Sequence, residues 1–308
     1  MSRRPGSKTT ALEITDGLEL GDRHFLITGP SAGIGLETAR ALAAAGATCH
    51  LACRSRARFE ETEAALRTTH PRASLRPFLV DLGDLTQVRE AARRYDGGRL
   101  DALIANAGVF GGGYQATAQG LERTVGICHF AHFLLVRELL PVMTATARAQ
   151  GEARVVLVAS ESHRSPRRLD LERLPLAAAD YSDLVAYGQA KLCNVLHARG
   201  LQRRFASDGL VAVSLHPGAL VSTSIGRSSL LARVAIALAR PFTKSVEQAA
   251  ATTAFCVTSA AVEPGGYHRD CRPTPASPEG RSDDVADRLW LRTEAALAGL
   301  GFAPAELS

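Results

Sequence analysis

The chain has 308 residues, of which 46% are hydrophobic and 22% are charged. These proportions are typical of a folded globular protein and argue against a disordered chain. The net charge of +5 is scattered along the sequence and aromatic residues make up only 5%, so we expect no nucleic-acid partner. A basic balance suits a phosphate-bearing cofactor or an acidic substrate instead.

The sequence predicts a cytoplasmic protein without a membrane span or a metal site. Its N-terminus, "MSRRPGSKTT", is polar and basic and lacks the apolar core of a secretory signal. The longest apolar stretch, at 230–242, contains Arg233 and Arg240 and is too short to cross a bilayer. The cysteines show no paired spacing, which favours reduced thiols; they are Cys49, Cys53, Cys128, Cys193, Cys256 and Cys271.

Short apolar runs alternate with longer helical patterns along the chain. The predicted strands are 23–28, 47–53, 75–80, 100–106, 154–160 and 210–216. The predicted helices are 33–46, 57–69, 84–95, 118–149, 183–207, 245–259 and 283–299. Such alternation implies right-handed βαβ units. We therefore expect the α/β class, with a single-domain, Rossmann-like, doubly wound parallel sheet flanked by helices over residues 21–302, after a flexible basic tail at 1–20.

A glycine-rich turn, "TGPSAGIG" at 28–35, follows the first predicted strand. Glycines let the backbone approach a ligand closely, and the amides that open the next helix favour a pyrophosphate. The spacing of Gly29, Gly33 and Gly35 differs from the commoner G-x-G-x-x-G pattern. The turn therefore predicts a dinucleotide site, with a tight turn that binds no ligand as the alternative.

Arginines stand where NAD-binding proteins usually carry an acid, at the end of the second strand. In "ACRSRAR", Arg54 is the first candidate to pair with a 2′-phosphate, and Arg56 and Arg58 are further candidates. The pattern predicts NADPH rather than NADH, the alternative being a solvated run of surface charge.

Tyr187 and Lys191 are one helical turn apart in "AYGQAKLCNVL" and so share a helix face. A free tyrosine phenol ionises only near pH ~10, and a neighbouring ammonium favours the phenolate. Ser160 ends a predicted strand, where ligands meet the sheet, and its hydroxyl could bind a substrate carbonyl. The Tyr-x-x-x-Lys pattern alone is weak. What predicts catalysis is that this pair follows the glycine turn, Asn106 and Ser160 in the sequence, each at a position that the sheet would bring to the same edge.

This ordered set resembles the short-chain dehydrogenase/reductase family over about residues 22–300. The resemblance implies that Ser160 binds the carbonyl oxygen, Tyr187 acts as general acid or base, and Lys191 holds the nicotinamide ribose. Ser162 is a less favoured substitute for Ser160. The cofactor contacts that the resemblance implies come from "TGPSAGIG", "VDLGDL", "ANAG" and "HPGALVST"; beside the residues above they are Ser31, Ile34, Asp81, Leu82, Asn106, Ala107, Gly108, Pro217, Gly218, Leu220 and Ser222, with Thr223 as an alternative to Ser222.

Within the family, "LACR" (51–54), "VASESHR" (158–164) and the long gap between Ser160 and Tyr187 resemble the branch of retinol dehydrogenases and WW-domain oxidoreductases. The resemblance implies an NADPH-dependent reductase or alcohol dehydrogenase for a hydrophobic small molecule, with a substrate lid at about 224–242. It also implies that a homodimer would pair through the two long helices.

One residue departs from the family pattern. Cys128 stands where many members have an asparagine that supports a proton-relaying water, and a thiol is a weak donor and acceptor. The relay would then be weakened or pass through His129 or a water bound to the backbone, unless Cys128 is simply a buried residue without a role. The departure keeps open an alternative function: a protein of this fold that binds the cofactor for dehydration, isomerisation, cyclisation or regulation.

Overall fold

The computed structural model describes residues 4–218 and 244–304. Its strands form a single sheet in the order β3-β2-β1-β4-β5-β6-β7-β8. Neighbouring strands are parallel, except that β8 runs antiparallel to β7. The strands are β1 (His24–Thr28), β2 (Thr48–Cys53), β3 (Ser74–Leu79), β4 (Ala102–Ala105), β5 (Ala153–Val158), β6 (Leu210–His216), β7 (Tyr267–Arg269) and β8 (Arg272–Pro273).

Helices cover both faces of this sheet, which confirms the expected doubly wound α/β architecture. The helices are α1 (Ala11–Thr15), α2 (Gly33–Ala44), α3 (Arg56–Arg67), α4 (Leu85–Arg93), α5 (Arg123–Val125), α6 (His132–Gln150), α7 (Asp183–Phe205), α8 (Val246–Thr258) and α9 (Asp283–Gly299). One hydrophobic core joins α4, α6, α7 and α9 to the sheet, and a second joins α2, α3 and α8 to the opposite face.

The long helix predicted for 118–149 begins later than its apolar pattern suggested. The buried carboxylate of Glu122 accepts hydrogen bonds from the amides of Thr124 and Val125 and so caps α5. A π-helical segment, Gly126–Ala131, then connects α5 to α6. Arg123–Gln150 has the length and hydropathy of a membrane-crossing helix, but 67% of its most apolar window is buried inside the fold, as is typical of a core helix.

The expectation of a flexible tail over residues 1–20 is wrong for the part that the structure describes. Thr10 and Glu13 form a capping box that begins α1. Ala11 packs with Ala41 of α2 and with alanines of α8, and the Thr15 hydroxyl donates to the Ala41 carbonyl at 3.0 Å. Tertiary packing stabilises this short helix, which its polar sequence does not indicate.

The C-terminal helix α9 lies across α6 and α7. Arg137 of α6 pairs with Glu294 at 2.6 Å, and Trp290 contacts the ring of Phe133. Between Ala186 and Leu201 of α7, only Tyr187 and Arg199 are not buried. The chain's own last helix therefore packs against the two long helices through which a homodimer was expected to pair.

Candidate active site

The predicted site residues lie at one edge of the sheet, where the carboxyl ends of the parallel strands meet. Thr28 ends β1, Arg54 follows β2, Asn106 follows β4 and Ser160 follows β5. The strand order reverses between β1 and β4, and open α/β sheets bind their ligands in the crevice at such a point. The topology thus gathers residues that are far apart in sequence.

The glycine turn is shaped for a ligand at the N-terminus of α2. Gly29 adopts φ +65°, and a Cβ at Gly35 would overlap the Gly29 carbonyl and the Asn106 amide. Gly33, in contrast, has φ +59° and faces open space, with no atom within 4 Å of where its Cβ would stand. No side chain caps α2 at Ala32, so its first amides are free to bind an anion.

Asn106 holds this turn rather than facing solvent. Its Nδ2 donates to the carbonyl of Thr28 at 2.8 Å and to that of Gly29 at 3.2 Å. The Thr28 hydroxyl in turn accepts the amides of Asn106 and Ala107, both at 2.9 Å. The "ANAG" segment and the glycine turn are therefore one hydrogen-bonded unit.

A buried histidine completes this unit, and the sequence analysis missed both it and Thr28. Nδ1 of His132 lies 3.1 Å from the Cys128 carbonyl, which can only accept, so Nδ1 carries the proton. Nε2 then accepts from the Thr28 hydroxyl at 2.9 Å. Burial lowers the pKa of His132 to about 4, and the Lys191 charge adds to this shift. Thr28 directly precedes the glycines, but no sequence signal linked it to a histidine 104 residues away.

Of the three arginines after β2, Arg54 is exposed and pairs with no carboxylate in the described part of the chain. Arg56 lies over the ring of Phe59, and Arg58 pairs with Glu61 at 2.7 Å. Arg54 is therefore the guanidinium available to a ligand phosphate.

Other residues predicted to contact the cofactor lie in the glycine turn and after β3. The Ser31 hydroxyl is 3.7 Å from the Cys53 thiol, which links the glycine turn to the end of β2. Asp81 accepts the Gly83 amide at 2.8 Å, while Leu82 packs against the core. Ile34 packs on the cluster of alanines that α1, α2 and α8 contribute.

The predicted catalytic residues converge on the end of β5. Lys191 is 3% exposed, and its Nζ donates to the Val158 carbonyl at 2.9 Å, two residues before Ser160. The same ammonium lies 5.4 Å from the centre of the Tyr187 ring. A Cβ at Gly188 would stand only 3.2 Å from the Ser162 carbonyl, so α7 packs closely on the Ser160 turn. Ser162 itself accepts a hydrogen bond from the Ser160 hydroxyl at 3.3 Å.

Cys128 lies beside the lysine, as its position in the sequence pattern implied. A Cβ at Gly108 would stand 3.3 Å from Lys191 Nζ and 3.4 Å from Cys128 Sγ. Nε2 of His129 bonds to Thr293 of α9 at 2.9 Å, so this nitrogen is not available for the suggested relay. The Lys191 charge contributes to the lowered pKa of His132, whose Nδ1 bonds to the Cys128 carbonyl.

One aromatic side chain contacts Tyr187, and two apolar side chains that precede it in the sequence are exposed. Phe110 contacts the Tyr187 ring edge-on at 5.1 Å. Tyr181 donates to Asp183 at 2.8 Å and contacts Tyr114 edge-on. Leu184 and Val185, on the first turn of α7, are exposed.

Part of the predicted site lies outside the described residues. Pro217 and Gly218 follow β6, and Gly218 has φ +112°, a conformation that favours glycine. Leu220, Ser222, Thr223 and the expected lid at 224–242 are not described. No group of three metal-ligating side chains is found among residues 4–218 and 244–304.

These residues fit a dinucleotide cofactor. Gly33 leaves open space above the turn, and within residues 4–218 and 244–304 no side chain caps the amides of α2 and no carboxylate pairs with Arg54. A pyrophosphate would lie on α2 and a 2′-phosphate on Arg54, while Asn106 keeps the turn in its binding shape.

The fold and this set of residues are typical of nucleotide-binding oxidoreductases, and comparison with known proteins identifies the group. Residues 23–169 match the profile of the short chain dehydrogenase family. A WW domain-containing oxidoreductase of Danio rerio is 38% identical over 302 residues, which cover 95% of this chain and 72% of that protein. Human retinol dehydrogenase 12 is 34% identical over 281 residues, covering 89% and 85%. The chain belongs to the short-chain dehydrogenase/reductase family, in the branch that its sequence resembles.

A solved structure agrees with this assignment. The crystal structure of a protein from Mycobacterium paratuberculosis superposes with a TM-score of 0.75 at 29% identity. The match covers 97% of this chain and 99% of that one, so the likeness extends to the helices that surround the sheet.

Proposed function

We propose that the protein is an NADPH-dependent oxidoreductase that reduces the carbonyl group of a hydrophobic small molecule, or oxidises the corresponding alcohol. The observation that carries the proposal is the contact of the buried Lys191 ammonium with both the Tyr187 ring and the strand end that bears Ser160. This arrangement supplies a phenol, a neighbouring positive charge and a hydroxyl donor at one place, which is what proton transfer to a carbonyl oxygen requires.

Each residue has a defined task in this proposal. When bound, the nicotinamide supplies the hydride. Ser160 donates a hydrogen bond to the substrate oxygen, and Tyr187 gives that oxygen its phenol proton. Lys191 places its positive charge 5.4 Å from the centre of the ring on which the negative charge forms. Oxidation of an alcohol uses the same groups in reverse.

The cofactor and substrate preferences rest on two surfaces. Arg54 is unpaired at the end of β2, which favours NADPH because a guanidinium binds a 2′-phosphate through charge-assisted hydrogen bonds. Phe110 contacts the Tyr187 ring, and Leu184 and Val185 are exposed on the first turn of the same helix; such apolar area suits a hydrophobic substrate. A reducing compartment such as the cytoplasm is part of the proposal, because all six cysteines are buried and unpaired.

A screen of apolar ketones and aldehydes with NADPH deuterated at the transferable position tests the proposal. We expect the reduced-nicotinamide absorbance to fall and the label to appear on the carbinol carbon of the product. NADPH should bind more tightly than NADH in a fluorescence titration. Loss of absorbance without label in any product contradicts carbonyl reduction.

The non-redox function is the second candidate, and Cys128 is the observation that favours it. Its thiol lies beside Gly108 and Lys191, where many family members have an asparagine. Formation of product with no NADPH consumed in the same assay would support this candidate over the first.

A further inference from the structure

His163 is fully buried in the short turn that follows Ser160, and the mechanism above does not use it. Its Nδ1 lies 2.7 Å from the Ser160 carbonyl oxygen. Its Nε2 lies 3.0 Å from the backbone nitrogen of Ser277, whose N–H donates to it. The imidazole therefore bridges the end of β5 and the segment before α9.

These two partners determine the tautomer of the ring. A backbone N–H can only donate and a carbonyl oxygen can only accept, so Nε2 is unprotonated and Nδ1 carries the hydrogen. Burial lowers the pKa of His163, which keeps the ring neutral. Both ring nitrogens are thus satisfied inside the protein.

The bridge fixes the backbone of Ser160. The Ser160 carbonyl accepts from the His163 side chain and also from the His163 amide at 3.0 Å. The Ser160 hydroxyl accepts the Ser162 amide at 3.2 Å. The carbonyl and the hydroxyl of Ser160 are therefore both oriented by the three residues that follow it.

The far end of the bridge is held independently. Arg164 donates to the Pro275 carbonyl at 2.6 Å, and Glu279 accepts the Leu169 amide at 3.0 Å. The Ser277 hydroxyl accepts the Gly280 amide at 3.1 Å. His163 is therefore the buried link between the Ser160 turn and the segment at 275–281. Arg164 links the same turn at an exposed position, and Leu169, which lies beyond the turn, also holds this segment.

We propose that His163 is a positioning residue, whose neutral Nδ1–H tautomer holds the Ser160 hydroxyl where it meets the substrate carbonyl. The proposal rests on the proposed function, since it acts through Ser160. The proposal does not require His163 itself to contact the substrate or the cofactor.

Two amide variants test the two hydrogen bonds of His163 separately. In His163→Asn the amide nitrogen is bonded to Cγ, as Nδ1 is, so it can still donate to the Ser160 carbonyl but does not reach Ser277. In His163→Gln the amide is one bond further out and can accept from Ser277 but not replace Nδ1. We expect kcat to fall about 10–100-fold in His163→Gln and by less than about 5-fold in His163→Asn, because misplacement of a reacting group by ~1 Å can cost that much.

The controls distinguish positioning from a structural role. The dissociation constant for NADPH should stay within about 2-fold in both variants, and Arg164→Ala, which removes an exposed link, should leave kcat within about 2-fold. In a Ser160→Ala background His163→Gln should cause little further loss, since the two residues act as a unit. Equal losses in both amide variants, or full additivity with Ser160→Ala, would overturn the proposal.

A measurement without turnover keeps the proposal separate from the proposed function. Nitrogen-15 NMR of the wild-type protein should show His163 protonated at Nδ1, and the Ser277 amide should exchange faster in His163→Asn. A ring protonated at Nε2 would overturn the positioning role even in an active enzyme. An Nδ1–H ring in a protein that transfers no label to any carbonyl would contradict the proposed function and, with it, a catalytic purpose for the bridge.

Discussion

The ammonium of Lys191 lies 5.4 Å from the centre of the Tyr187 ring while it donates to the carbonyl of Val158. A buried cation is costly unless its hydrogen bonds are made, and this one is satisfied by the strand that carries Ser160. Lys191 therefore connects the phenol to the serine, and several consequences of this geometry can be measured.

Replacing the phenol tests the catalytic centre directly. Tyr187→Phe removes the proton donor but keeps the ring contact with Phe110, so kcat should fall at least about 100-fold. The NADPH dissociation constant, measured by fluorescence titration, should change by less than about 2-fold. Tyr181→Phe is the matched control, because its hydroxyl donates to Asp183 and it lies outside the proposed catalytic set. Undiminished turnover in Tyr187→Phe would place the acid elsewhere.

Removal of a single guanidinium should change cofactor preference. Arg54→Ala should raise the dissociation constant for NADPH about 10–100-fold, since a hydrogen bond to a charged group contributes about 1.5–3 kcal/mol. Affinity for NADH should hardly change. Arg58→Ala serves as the control because Arg58 already pairs with Glu61. Equal effects on both cofactors would show that Arg54 does not read the 2′-phosphate.

The Thr28 hydroxyl should matter for both stability and cofactor binding. Thr28→Val leaves the amides of Asn106 and Ala107 and Nε2 of His132 without their partner. We expect the free energy of unfolding to fall by about 2–3 kcal/mol or more, with weaker NADPH binding. Thr28→Ser keeps the hydroxyl and should restore both properties. A Thr28→Val protein with wild-type denaturation and affinity would contradict this role.

Buried histidines should make the protein sensitive to mild acid. Burial lowers the pKa of His50 and of His132 to about 4, and that of His129 to about 3. Between about pH 6.5 and 4 the unfolded chain binds protons that the folded chain does not, so stability falls as the pH falls through this range. By pH ~4, His50 and His132 should each lower the free energy of unfolding by about 3 kcal/mol. Denaturant unfolding at several pH values measures the slope.

His197 offers a variant for that experiment. Both of its ring nitrogens are buried without a hydrogen-bond partner among the described residues, and burial lowers its pKa strongly. His197→Leu should therefore reduce the loss of stability between pH 7 and pH 5. A steeper dependence in this variant would show that the imidazole is not held neutral in the fold.

The cover of α6 and α7 by α9 predicts a monomer. Light scattering after size-exclusion chromatography should give a mass near 32.6 kDa. Arg204→Glu reverses the charge of a side chain that pairs with Asp287 and lies over Trp290. This change should loosen α9 and promote self-association. Arg148→Glu, at an exposed pair with Asp208, should not. A wild-type dimer would show that another surface pairs the subunits.

The sequence by itself determined the class of fold, the order of the strands and helices, and the residues expected to carry the chemistry. Apolar runs and glycine turns are local signals, and the spacing of Tyr187 and Lys191 follows from helix geometry alone. The placement of Arg54 after the second strand likewise needs no tertiary information.

Only the tertiary structure decided which groups hold these residues in place. The Thr28–His132 and His163–Ser277 hydrogen bonds join positions more than 100 residues apart, and single-sequence patterns contain no information on such pairs. The formation of helix α1 and the packing of α9 on α7 depend in the same way on contacts between distant elements. Local sequence therefore sets which groups are available, whereas burial against distant partners fixes their orientation, protonation and exposure.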